Sequence, residues 1–136
     1  MQEIILSKIY SIENCIKRID KKVEEVDFSL DNYDYQDIVV LNLQRACQQS
    51  IDLAMFITSE LELGIPRSSS DAFQKLLEKS IISVETYENM KSMIGFRNIS
   101  VHEYQKINYD IVEYVIKNRL PDFKNYNKEL IDFFID

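Results

Sequence analysis

Residues 5–26 read ILSKIYSIENCIKRIDKKVEEV, and their pattern decides the fold. Ile5, Ile9, Ile12, Ile16, Ile19, Val23 and Val26 recur at alternating spacings of four and three. At about 3.6 residues per turn, that spacing puts these side chains on one stripe of a helix nearly four heptads long. The opposite face carries Lys17, Arg18, Lys21, Lys22, Glu24 and Glu25, a solvated surface. So long an apolar seam must pack on another helix. The spacing alone leaves open whether one chain uses all of it or part is spare for a second copy.

Working outward, the polar run Asp31-Asn32-Tyr33-Asp34 predicts a loop, then a second long helix from about Tyr35 to Leu63. Val39, Leu43, Ala46, Leu53, Ile57 and Leu61 form its stripe. Gly64 suits the residue after the helix end and Pro66 follows it, the usual stop arrangement. Ser68-Ser69-Ser70 leads into a short helix, Asp71 to Lys79, with Phe73, Leu76 and Leu77 facing inward. Ser83 is placed as an N-cap with Glu85 favourable in the first turn, opening a helix from Val84 towards Arg97. Asn108 can cap a last helix carrying Ile111, Val112, Val115 and Ile116. Pro121 should kink or break it, and Leu130, Ile131, Phe134 and Ile135 continue the apolar face.

The sum is an all-α chain: an up-down four-helix bundle with an additional short helix, in one domain over residues 1–136. Composition agrees. Only 2 Gly and 2 Pro in 136 residues leave too little turn chemistry for an all-β fold. Hydrophobic residues at 46% and charged residues at 29% exclude a disordered chain. No repeat, low-complexity tract or linker divides it. Cys15 and Cys47 fall in helices among apolar residues, where two buried reduced thiols are expected. No basic signal-peptide start and no apolar run of about 18 residues occurs, so a cytoplasmic protein without a membrane span is expected.

The formal charge of −7 opposes bulk electrostatic binding of nucleic acid. Charge is uneven, however. Residues 28–64 hold six acidic side chains and one basic; residues 91–106 hold Lys91, Arg97 and Lys106 against Glu103 alone. That second window contains the single histidine.

Residues 95–104 read Gly95-Phe96-Arg97-Asn98-Ile99-Ser100-Val101-His102-Glu103-Tyr104. On a continuous helix Asn98 and His102, spaced i, i+4, share a face and can hydrogen-bond. Arg97 and His102 sit roughly 140° apart on an ideal helix, so they converge only where the helix ends or distorts. Ile99 and Val101 are β-branched and Ser100 is a poor interior residue, which suits an end there. The chemistry fits phosphodiester cleavage in RNA without a metal. A histidine titrates near neutrality and can take a proton from a 2′-hydroxyl or give one to a leaving 5′-oxygen. An arginine forks onto phosphate oxygens and stabilises a phosphorane-like transition state. One histidine cannot easily be both acid and base; a two-fold dimer would supply a second Arg–His pair. Against this stands a plainer reading, a structural histidine in a helical dimerisation domain. There is no phosphate-binding Gly loop and no Cys/His metal cluster, so no cofactor and no metal are expected.

The stretch Arg97-Asn98-Ile99-Ser100-Val101-His102-Glu103-Tyr104 resembles the R-N-x-x-V-H-x-Y signature of HEPN-domain toxins of the HepT family, with every signature position filled. The resemblance extends through Leu43-Gln44-Arg45-Ala46, Gly64-Ile65-Pro66, Phe73-Gln74-Lys75-Leu76 and Met93-Ile94-Gly95-Phe96. It implies a homodimeric helical bundle, a toxin acting as a metal-independent endoribonuclease on cellular mRNA or tRNA. Arg97 and His102 would be the catalytic pair and Asn98 a support. It also implies an MNT-type nucleotidyltransferase antitoxin that transfers AMP from ATP to Tyr104, placing a charged phosphate in the cleft. The alternative within the resemblance is a HEPN-type module that partners a nucleotidyltransferase without cleaving RNA, a reading the acidic balance favours.

Overall fold

The computed structural model describes residues 1–25, 33–98 and 109–136, all of it helix, turn or connection without a strand. In chain order the elements are α1 (Gln2–Glu25), α2 (Tyr33–Glu60), α3 (Ser69–Glu78), α4 (Val84–Met93), a 3-10 turn (Ile94–Asn98), α5 (Tyr109–Asn118) and α6 (Pro121–Phe134). The expected helical bundle is therefore present. The single last helix of the sequence reading is split at Pro121, which opens α6 from its first turn, where a missing N–H costs nothing.

The seam of α1 is consumed inside the chain. Ile5, Ile9, Ile12, Ile16 and Ile19 are buried and Val23 half-buried, chiefly against α2; Val26 lies outside the described residues. The seven residues between these helices span at most about 28 Å, while α1 alone is about 36 Å long, so the two run antiparallel. Helix α2 is more deeply enclosed than one stripe predicts. Besides Val39, Leu43, Ala46, Leu53 and Ile57, it buries Val40, Cys47, Ile51 and Ala54, because α1, α3 and the 3-10 turn all pack on it. Its polar residues are satisfied locally: the Ser50 and Thr58 hydroxyls donate to the carbonyls of Ala46 (2.7 Å) and Ala54 (2.8 Å). Cys15 and Cys47 are buried and unbridged, as expected, and burial pushes both thiol pKa values up, away from reactive thiolate.

Helix α6 closes the core with Phe123, Tyr126 and Leu130, all fully buried. The Tyr126 ring meets Phe73 of α3 edge-on, with centroids 5.6 Å apart at 80°. Its hydroxyl donates to the Ser50 carbonyl at 2.9 Å. Ile131, Phe134 and Ile135 are only half-buried, and Ile111 of α5, expected on the inner face, is half exposed.

One helix end corrects the sequence reading. The Leu63 N–H donates to the Thr58 carbonyl and the Glu62 N–H to that of Ser59, so α2 closes in a Schellman motif. Its left-handed residue is Glu62 (φ 53°); Gly64, the expected one, lies two residues beyond at φ 101°. Helix α3 ends the same way on Ser80 (φ 57°), with Ile81 N–H donating to Leu76 and Ser80 N–H to Leu77. An L-residue is strained there, and Ser80 is exposed. Ser80→Gly is therefore expected to raise stability by roughly 0.5–1 kcal/mol, read as a higher thermal midpoint. A lower midpoint would show that unfolded-chain entropy outweighs relief of strain.

Among the described residues no helix is long and apolar enough to cross a membrane.

Candidate functional site

Arg97 is delivered by α4 and the turn that follows it. Ser83 caps α4, its hydroxyl accepting from the Thr86 N–H at 3.1 Å, as the sequence predicts. Glu129 of α6 reinforces that start: its carboxylate accepts from the Ser83 N–H and hydroxyl and from the Thr86 hydroxyl. A carboxylate at the positive end of a helix is electrostatically favourable. At the other end, Met90 and Met93 are buried, and Ile94 and Phe96 lean on the same core. Gly95, a weak helix former, lies in this stretch, and the α-helix tightens to 3-10 winding at Ile94. The departure from α geometry thus begins before Arg97, earlier than the β-branched residues suggested. Among the described residues, no atom outside the turn's own neighbours lies within 4 Å of where a Gly95 side chain would begin.

The half-buried Arg97 side chain reaches the start of α3, where its Nη1 donates to the Ser69 hydroxyl oxygen. Ser69 is 7% exposed. This end of α3 is firmly built. Ser68 is the N-cap, its hydroxyl accepting from the Asp71 N–H at 3.0 Å. The Asp71 carboxylate accepts from the Arg67 N–H at 2.9 Å and lies 3.8 Å from Lys75 Nζ. Arg97 thus sets a guanidinium beside the start of α3, whose own first turn carries the Asp71 carboxylate, in a chain of net charge −7. Lys91, one turn back along α4, holds its ammonium 5.9 Å from the Tyr87 ring.

Of the residues singled out by sequence, Arg97 is placed as described. Asn98 closes the 3-10 turn, and only its backbone is described. His102, Tyr104 and Lys106 lie outside the described residues, as does Asn108. The described chain resumes at α5 (Tyr109–Asn118), and the junction of α5 and α6 is tied back to α4. Arg119 Nη2 donates to Asn89 Oδ1 at 2.6 Å, and Arg119 Nε lies 2.9 Å from the Asp122 carboxylate. Burial raises the Asp122 pKa, and Arg119 partly counters it. Among the described residues no three His, Cys, Asp or Glu side chains gather to hold a metal.

Sequence reasoning missed Ser69. It lies 28 residues from Arg97, and its neighbours Ser68 and Ser70 are the same residue type. Nothing local distinguishes the serine that meets the guanidinium from the one that caps the helix.

A family model described as Ribonuclease HepT-like matches residues 12–130. The chain is 42% identical over 126 residues to the mRNA nuclease HepT of Shewanella oneidensis, covering 93% of this chain and 95% of that protein. It is 29% identical over 117 residues to the tRNA nuclease HepT of Aphanizomenon flos-aquae, covering 85% and 80% respectively. The fold superposes on a solved structure of tri-AMPylated Shewanella oneidensis HEPN toxin in complex with MNT antitoxin. That match has a TM-score of 0.87 at 40% identity and covers 97% of this chain and 99% of the other.

Proposed function

The chain belongs to the HepT-like ribonuclease family, and from that premise we propose that it is the toxin of a toxin–antitoxin pair, an endoribonuclease acting on cellular RNA and silenced by an MNT-type nucleotidyltransferase. The observation that carries this reading is the match along nearly the whole chain to proteins named as mRNA and tRNA nucleases. Residues 1–136 act as one HEPN-like helical unit, working in the cytoplasm where its RNA is found.

Arg97 and His102 carry the chemistry. His102 handles the proton, taking it from the 2′-hydroxyl or giving it to the departing 5′-oxygen. The 2′-oxygen attacks phosphorus as the bond to the 5′-oxygen breaks, and no metal is required. Arg97 offers its remaining N–H donors to the negative charge that builds on the phosphoryl oxygens. Its place against α3 supports this role, because the contact with Ser69 holds the guanidinium on a helix of the core. Asn98, next to Arg97 in the signature, supports the site. A homodimer brings a second Arg–His pair to the cleft, so that acid and base need not be the same imidazole. Silencing works by charge and bulk. The antitoxin moves AMP from ATP onto the Tyr104 hydroxyl, and the added phosphate repels RNA. The AMPylated state of the Shewanella toxin supports this arm.

Inducible expression of the chain in cells that lack the nucleotidyltransferase tests the reading. The expected result is growth arrest with fragmented RNA, relieved when the antitoxin is supplied and accompanied by AMP on Tyr104. Healthy growth with intact RNA and abundant soluble protein would overturn it.

A further inference from the structure

We propose that Ser69 is a positioning residue for the Arg97 guanidinium: its hydroxyl accepts one N–H and holds the fork at the start of α3 before RNA arrives. This rests on Arg97 acting at the phosphate, as argued above, and adds a residue to that site.

Three observations carry it. First, the N-cap bond of α3 is made by Ser68, which accepts from the Asp71 N–H, and not by the Ser69 side chain, while Asp71 in turn accepts from the Arg67 N–H. The Ser69 hydroxyl is thus not spent on that bond, and Arg97 is the partner it meets. Second, Ser69 is buried while Arg97 is half-buried, so the contact is sheltered from water and its geometry is stiff. Third, the acceptor sits on a rigid element. Helix α3 is pinned to the core by Ala72, Phe73 and Leu76, all buried on the same side as Ser69. Arg97 comes from a short 3-10 turn, whose own backbone constrains a long side chain poorly.

The physical consequence is preorganisation. A free arginine side chain surrenders rotamer freedom whenever it closes on a phosphate. Fixing one N–H on Ser69 moves that loss into folding and leaves the rest of the fork aligned for the transition state. The benefit appears in the chemical step more than in RNA affinity, which other contacts supply.

The test uses the purified full-length protein and a fluorophore-labelled in vitro transcript. Ser69→Ala is expected to lower kcat roughly 10-fold with KM near the parent value, and to lower the thermal midpoint by no more than several degrees. Ser69→Thr, which keeps the hydroxyl, is expected to recover most of the rate. In an Arg97→Lys background, where the fork is gone, Ser69→Ala is expected to change nothing further. If Ser69→Ala fails to fold, Ser69→Cys decides by the same kcat criterion, since it keeps the size and replaces oxygen by a poor acceptor. A parent-like kcat for Ser69→Ala or Ser69→Cys beside an inactive Arg97→Ala overturns the inference and leaves the site reading intact. Parent-like cleavage by Arg97→Ala overturns the site reading itself, and Ser69 loses its role with it.

Discussion

Arg97→Ala and His102→Ala proteins are expected to fold like the parent and to cleave RNA slower by about 10²–10³ for the arginine and 10²–10⁴ for the histidine. The arginine argument runs through charge. In the proposed mechanism the transition state gathers negative charge on the phosphoryl oxygens, and Arg97, held at the start of α3, would supply a permanent cation. Removing it takes away donors that matter most when that charge is largest, so the loss falls on kcat. The stability effect is small by comparison. Arg97 is half-buried and its one described side-chain bond, to Ser69, is worth about 1–3 kcal/mol at most. His102→Ala removes the only imidazole of the chain, so no neighbour can substitute near neutral pH. Single-turnover cleavage of a labelled transcript, with thermal unfolding run in parallel, separates chemistry from folding. Cleavage at the parent rate by either folded variant would remove that residue from the catalytic pair.

The largest loss of stability is expected at Phe73. Its ring is buried to 1% exposure and stands edge-on to Tyr126, itself fully enclosed and bonded through its hydroxyl to the Ser50 carbonyl. Phe73→Ala would open a cavity where α3, α6 and α2 meet, and the Tyr126 ring cannot slide into it without breaking that bond. A cost of about 3–5 kcal/mol follows. Domains of this size hold only about 5–15 kcal/mol in total, so a large part of the margin disappears. Urea denaturation followed by helical circular dichroism reads it directly. A shift under about 1 kcal/mol would mean that the site collapses around the smaller residue. Phe73 also lies four residues after Ser69 on the inner side of α3, so a folded Phe73→Ala protein should also be slower in cleavage than the parent.

How much of this was legible in the chain differs by element. The α1 seam was readable because its period is local and its isoleucines face one partner. Half of the buried surface of α2 was not. Val40, Cys47 and Ala54 are scattered, small or weakly apolar, and what buries them is that three elements pack on this helix. The end of α2 was read at Gly64 because glycine tolerates positive φ, yet the helix closes two residues earlier, where the local bonds to Thr58 and Ser59 place the exposed Glu62 in that conformation. Phe123 and Tyr126 were hidden by Asp122, Lys124, Asn125 and Asn127 around them, two of which are buried polar residues. At the site, Arg97 and His102 stood out because their spacing is contiguous. Ser69 could not, since its meeting with Arg97 is created by the fold across 28 residues.

The clasp between Arg119 and Asn89 has a consequence for heredity. It joins α4 to the α5–α6 junction across 30 residues, and the signature residues lie between those two points. The described helices on either side of residues 99–108 are thus joined to each other by a contact that uses none of those residues. Mutations among residues 99–108 can therefore change which RNA is cut, or which antitoxin recognises the toxin, while that join between α4 and the α5–α6 junction is kept. Such a layout lets a toxin lineage drift in specificity, step by step with its antidote, without passing through ancestors that fail to fold.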